Sequence, residues 1–241
     1  MNYTKNIITP DIEIANIVLE HPKLLLFLEH FEASLPLQDK TISTICAERN
    51  IRPGLFIALL NLYIGTDYAP PGDLILTDLP AIITYLQNSH RYYLDEIYPA
   101  IRQDIQMLYE LNDSPEIKMA DDFFQNYFKE VVEHLRYENE VVFPYINGLT
   151  AQIRHDKSVE KLKAASYSVV EYQEHHDDIE EKLDDLVQLL IRYLPLKEDG
   201  KARRKLFSRL TELNYDLKIH SLIEEWILIP LVQKLELKIK E

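Results

Sequence analysis

An all-α fold is what this sequence predicts, on three observations. Only 5 glycines are scattered over 241 residues. No alternating Val/Ile/Thr runs joined by hairpin dipeptides occur, which argues against strands. Long stretches of Leu, Ile, Glu, Lys and Tyr instead repeat at helical spacing, and 46% hydrophobic content is enough for a packed core. The expected architecture is an up-down-up-down four-helix bundle over 78–241, preceded by a small helical domain over 1–66 and a linker at 67–77.

The small domain is read as three helices. Pro10-Asp11 starts the first, which places Ile14, Ile17, Val18, Leu24, Leu25 and Leu28 at three-to-four spacing. After a turn-prone stretch at Leu35-Pro36, Thr41 is an N-cap for Ile42 to Glu48, and Arg52-Pro53 opens a helix through Leu55, Leu59, Leu60 and Tyr63. Ala69-Pro70-Pro71-Gly72-Asp73 then breaks helical periodicity more strongly than any other stretch, and the domain boundary is placed there.

Four long helical patterns follow, at about Asp78–Asn112, Glu116–Gly148, Val159–Leu194 and Lys201–Lys240. Asn112 to Pro115 and Pro195 to Gly200 are short and turn-like, so consecutive helices are expected to run antiparallel. The inward seams read Leu79, Ile83, Leu86, His90, Tyr93, Ile97, Ile101; then Phe124, Tyr127, Val131, His134, Glu138, Val141, Tyr145; then Val169, Tyr172, His176, Ile179, Leu183, Leu186, Leu190; then Leu206, Leu210, Leu213, Leu217, His220, Glu224, Ile227, Leu231.

Charge and cysteine usage narrow the class. A formal net charge of -14 repels a phosphate backbone, so nucleic acid is not an expected partner. The single cysteine, Cys46, rules out an internal disulfide framework or a cluster built on several thiolates of one chain. The N-terminus lacks a basic, then apolar, leader pattern, and no apolar run reaches membrane-spanning length. A cytoplasmic protein without a membrane partner is expected.

Each seam is interrupted by a histidine, and two of them also carry a glutamate one turn later. Burying an ionised carboxylate is costly unless the charge is paired or binds a metal. At i,i+4 spacing, His134/Glu138 and His220/Glu224 each place an imidazole and a carboxylate on one helical face. Four imidazoles and two carboxylates exceed the needs of one tetrahedral zinc and suit two ions sharing carboxylate bridges, with iron or manganese favoured by the mixed ligand set.

The motif His134-x3-Glu138-x5-Pro144 in HLRYENEVVFP recurs as His220-x3-Glu224-x5-Pro230 in HSLIEEWILIP. With SHRYYLDEIYP around His90 and EHHDDIEEKL around His176, residues 78 to 240 resemble the hemerythrin-like domain of the Repair of Iron Centers family. The resemblance implies two non-haem iron ions, oxo- and carboxylate-bridged, held by His90, His134, Glu138, His176, His220 and Glu224. His175 falls one position off the seam that His176 occupies, so it is expected beside the centre or facing solvent. The small domain is also similar to that family's N-terminal domain, including a cysteine at Cys46, but Leu35-Pro36-Leu37-Gln38 stands where the family has its Cys-Cys turn.

Plainer readings exist for each residue. A lone i,i+4 His/Glu pair is ordinarily an exposed ion pair, and His90 or His176 alone could be a satisfied core histidine. His21, His30 and His155 read as surface residues, Glu130 as a solvated acid, Cys46 as a small buried hydrophobe, and Tyr93, Tyr127 and Tyr172 as core tyrosines with hydrogen-bonded hydroxyls. The resemblance implies repair of iron-sulfur clusters damaged by nitrosative or oxidative stress, through iron donation or nitric oxide handling. The expected partners are damaged iron-sulfur proteins or diatomic gases, and a homodimer is one assembly open to the chain. The alternative is an oxygen- or nitric oxide-sensing module that signals through the N-terminal domain; iron storage or a metal-free bundle is the third.

Overall fold

The computed structural model describes residues 8–65, 74–154, 168–174, 179–195 and 197–240. Among these residues the chain is helical, with one isolated antiparallel bridge, Glu13 to Thr41, and no strand. The first seven residues of the expected linker, 67–73, lie outside the described residues, as do His155, His175 and His176. The chain divides into two compact units, one of 1–88, 146–162 and 222–241, the other of 89–145 and 163–221.

The first unit opens with α1 (Ile14–Glu20), α2 (Leu24–His30), α3 (Ile42–Arg49) and α4 (Pro53–Ile64). The single helix expected from Ile14 to Leu28 is therefore two. Pro22 is the cause: it disfavours helical backbone in the preceding residue, and His21 leaves α1 at φ -129°, ψ 76°. Thr41 caps α3 as its sequence position suggests, accepting from the Thr44 amide at 3.2 Å, a bond worth about 1 kcal/mol. Asn50 ends that helix in the left-handed conformation, φ 55°. Pro53 occupies the first turn of α4, where a missing N–H costs nothing.

Phe27 is the centre of this unit's core, with Phe31, Phe56, Tyr63 and Tyr85 all packed on its ring at 5.1 to 5.9 Å between centroids. Arg52 closes on Asp78 through two parallel bonds of 2.9 and 2.7 Å, and the Ile75 amide donates to the same carboxylate at 3.0 Å. His30 is buried rather than at the surface: its ring meets Tyr85 edge-on and its carbonyl accepts from Asn88 at 2.7 Å.

In the second part of the chain α5 (Leu79–Arg91) passes through a π turn (Tyr92–Ile97) into α6 (Tyr98–Leu111). Next, α7 (Pro115–Tyr137) passes through a π turn (Glu138–Val142) into α8 (Phe143–Arg154). Two shorter helices follow, α9 (Val169–Glu174) and α10 (Ile179–Tyr193). Finally α11 (Gly200–Ile223) passes through a π turn (Glu224–Leu228) into α12 (Ile229–Lys240). In the second unit α7 packs against α6 and α10, and α11 adds Leu206, Leu210, Leu213 and Leu217 to one continuous apolar core. Burying each such side chain contributes about 1.5–3 kcal/mol.

One part of the expected seams shifts. Val141 is exposed and Val142 is buried in its place, with Phe143, Ile146 and Leu149 continuing the buried face. The π turn at Glu138–Val142 adds one residue to the helical circuit, which rotates every later side chain relative to a 3.6-residue count.

Candidate metal centre

Three helices deliver the polar groups, each from a segment that lies in the second unit. His90 lies in the last turn of α5, His134 in the last turn of α7, and His220 in the last turn of α11, while Glu138 is the first residue of the π turn after α7. His90, Glu138 and His220 are all buried, and each offers a donor atom within 4.8 Å of the other two. The separations are short. His90 Nε2 is 3.2 Å from Glu138 Oε2 and 3.3 Å from His220 Nε2, and His134 Nε2 is 3.1 Å from Glu138 Oε1.

Around them stands a shell of oriented groups. Ser89 Oγ meets His220 Nδ1 at 2.9 Å, so a hydroxyl accepting there fixes the tautomer whose Nε2 lone pair points at the cluster. The Tyr172 hydroxyl donates to Glu138 Oε1 at 2.7 Å. Tyr93 donates to Asp216 at 2.7 Å while its ring lies edge-on to that of His220. The His90 ring stacks on Phe143.

The electrostatics of Glu138 follow from this packing. Burial alone would raise its carboxyl, but the facing imidazoles of His134 and His90 outweigh that and hold it well below the usual carboxylate range. Glu138 is thus an anion that, among the described residues, pairs with no Lys or Arg and is opposed by imidazoles that can equally bind an ion.

Whether a metal suits these residues is tested by Glu138 Oε2. That oxygen is buried and receives no aligned hydrogen bond, although it lies within ion-pair distance of His90. An anionic oxygen in that condition is costly by itself and is stabilised by a cation placed on it. Two imidazole nitrogens bound to one ion at roughly 2.1 Å lie about 3.0–3.4 Å apart, which matches the His90 to His220 separation. The donor set fits a small divalent cation of the transition series.

Each π turn starts two or four residues after one of these histidines and ends two residues before a proline: Pro99, Pro144 and Pro230. A proline has no amide to donate to the carbonyl four residues back and its ring collides with that carbonyl. Widening the preceding turn relieves both problems and turns the side chains at its start inward. The proline six positions after Glu138 and after Glu224 thereby acquires a physical role.

Of the six residues expected to bind metal, three come together as one group and His134 joins through Glu138. Glu224 belongs to the first unit and is buried there at 1% exposure, opening its own π turn. His176 lies outside the described residues. Tyr172, Ser89 and Asp216 were not read from the sequence as parts of the site. Two of them carried the same signal as the rest in the sequence: Asp216 precedes His220, and Tyr172 precedes His176, by four residues, the spacing of one helical turn. Glu130, by contrast, is the solvated acid it was expected to be, paired with Lys182 in the open. No protein-family model matches the chain, and no curated protein matches it.

Proposed function

We propose that the chain is a hemerythrin-like, non-haem di-iron protein of the Repair of Iron Centers type, built as an up-down-up-down four-helix bundle. It acts in the repair of iron-sulfur clusters damaged by nitrosative or oxidative stress. The observation that carries this reading is Glu138, whose two oxygens face different imidazoles, His90 on one side and His134 on the other. A carboxylate so placed suits a bridge between two ions. His90 and His220 would hold one, His134 the other, and His176 and Glu224 would complete the set.

When bound, such an ion pair supplies iron for transfer or a redox centre for nitric oxide. The protein's own residues hold the donor atoms, bury them from water and fix the imidazole tautomers. Iron-loaded protein should reactivate a nitrosylated cluster enzyme, or consume nitric oxide once reduced. If it does neither, the repair reading fails. A second reading, gas sensing through the N-terminal domain, is favoured by Leu35-Pro36-Leu37-Gln38 in place of a cysteine pair. A gas-dependent change of oligomeric state without turnover would support it over repair.

A further inference from the structure

We infer that Tyr172 makes the two halves of the centre unequal, supporting an ion on one oxygen of Glu138 and holding back an ion on the other. The inference rests on the metal reading above. It starts from an asymmetry within a single carboxylate. Oε2 faces His90 Nε2 and has no aligned hydrogen bond, whereas Oε1 has His134 Nε2 at 3.1 Å and accepts the Tyr172 hydroxyl at 2.7 Å. The tyrosine is 1% exposed, so water cannot readily replace its bond.

A phenol donating to an anionic oxygen forms a charge-assisted bond, about twice as strong as a neutral one. For an ion on Oε2, with His90 and His220, that bond falls on the oxygen that does not ligate. It fixes the rotation of the carboxylate and keeps Oε2 aimed at the imidazoles, as outer hydrogen bonds to metal ligands ordinarily do. For an ion on Oε1, with His134, the same bond falls on the ligating oxygen. There it draws charge from the donor atom and competes with the cation. One hydroxyl therefore acts with opposite sign on the two half-sites. Filling should be ordered, the half-site of His90, His220 and Oε2 first and that of His134 and Oε1 second.

In the sequence Tyr172 stands four residues before the expected ligand His176, the spacing of one helical turn. A tyrosine kept only for packing would need neither its hydroxyl nor that position.

The test is an anaerobic calorimetric titration of the full metal-free chain with cobalt(II), repeated on Tyr172→Phe. The wild type should bind in two resolved steps. In the variant the first step should weaken and the second tighten, so that the ratio of the two constants shrinks by roughly tenfold or more. A structural defect would lower both steps together, and that outcome, or an unchanged ratio, overturns the inference while leaving the metal site intact. As a check on wild type alone, the tyrosine ultraviolet difference signal should accompany the second equivalent; its arrival with the first counts against the ordering. If neither protein takes up cobalt, the metal reading itself falls and the inference with it.

Discussion

Buried acids occur in two kinds of surroundings in this chain. In the second unit Asp104 is held by Arg209 at 2.6 Å and Lys205 at 2.8 Å, and Asp199 by Arg203 at 2.8 Å and Asn112 at 2.9 Å. Asp78 in the first unit has Arg52. These aspartates are met by permanent cations, and the last two also tie chain ends: Arg203 reaches the Leu194 and Pro195 carbonyls, and Asp78 accepts from the Ile75 amide. Glu138 is met by imidazoles and a phenol instead. A guanidinium never releases its proton, so its pairs are fixed structure. An imidazole can exchange a proton for a metal ion, so the Glu138 surroundings can be rebuilt around a cation. The two kinds of site should therefore respond oppositely to the same experiments.

The largest difference is expected in metal uptake. Glu138→Gln should weaken metal binding by roughly 100-fold or more while the far-ultraviolet circular dichroism stays helical, because the apolar core does not depend on that carboxylate. Asp199→Asn should leave metal binding at its wild-type value. Equal losses in both variants would erase the distinction.

Stability should divide the other way. Arg203→Ala strands a carboxylate that is 2% exposed and removes bonds to two carbonyls, for a loss of about 2 kcal/mol or more in urea unfolding of the metal-free protein. Ser89→Ala, next to the cluster, should cost metal affinity about tenfold and little stability.

Acid sharpens the same contrast. Hydrogen bonding from Arg203 holds the Asp199 carboxyl below its ordinary value, against the opposing effect of burial. A depressed carboxyl stabilises the fold above its unfolded value, near about 3.9, and that contribution is lost as pH falls through the folded value. Wild type should accordingly lose stability steeply below about pH 4. Asp199→Asn should show a shallower fall in that window, and an unchanged slope would mean the clip contributes nothing.

The smallest effect concerns a buried titratable group of a third kind. Cys46 is buried and desolvation pushes its thiol up to about 12, so it stays neutral. Iodoacetamide at pH 8 should leave the folded protein unlabelled and modify it only in denaturant. Rapid labelling of native protein would show the small domain to be more open than its core suggests.

Much of this was legible in the sequence because helical periodicity is a direct projection of the core. The seam positions through Tyr93, Val131 and Leu217 are buried as expected, and His90, Glu138 and His220 meet because each interrupts an apolar stripe. What escaped has local causes. Pro22 splits a periodic stretch that otherwise reads as one helix, and the π turns shift the count by a residue, so Val142 is buried where Val141 was expected. His30 looked polar in its sequence context, but Tyr85, more than fifty residues away, covers it. Ser89 was invisible for the same reason: its role exists only once His220 is brought across from another helix.

The central claim is that imidazoles and a carboxylate were buried together to hold cations. Elemental analysis of the protein purified without added metal, with an optical spectrum of the same sample, tests it most directly. The account predicts two irons per chain and oxo-bridge charge-transfer absorption at the near-ultraviolet edge, both lost in Glu138→Gln. A stable, helical protein that carries no metal and takes up none when iron(II) is supplied would contradict it.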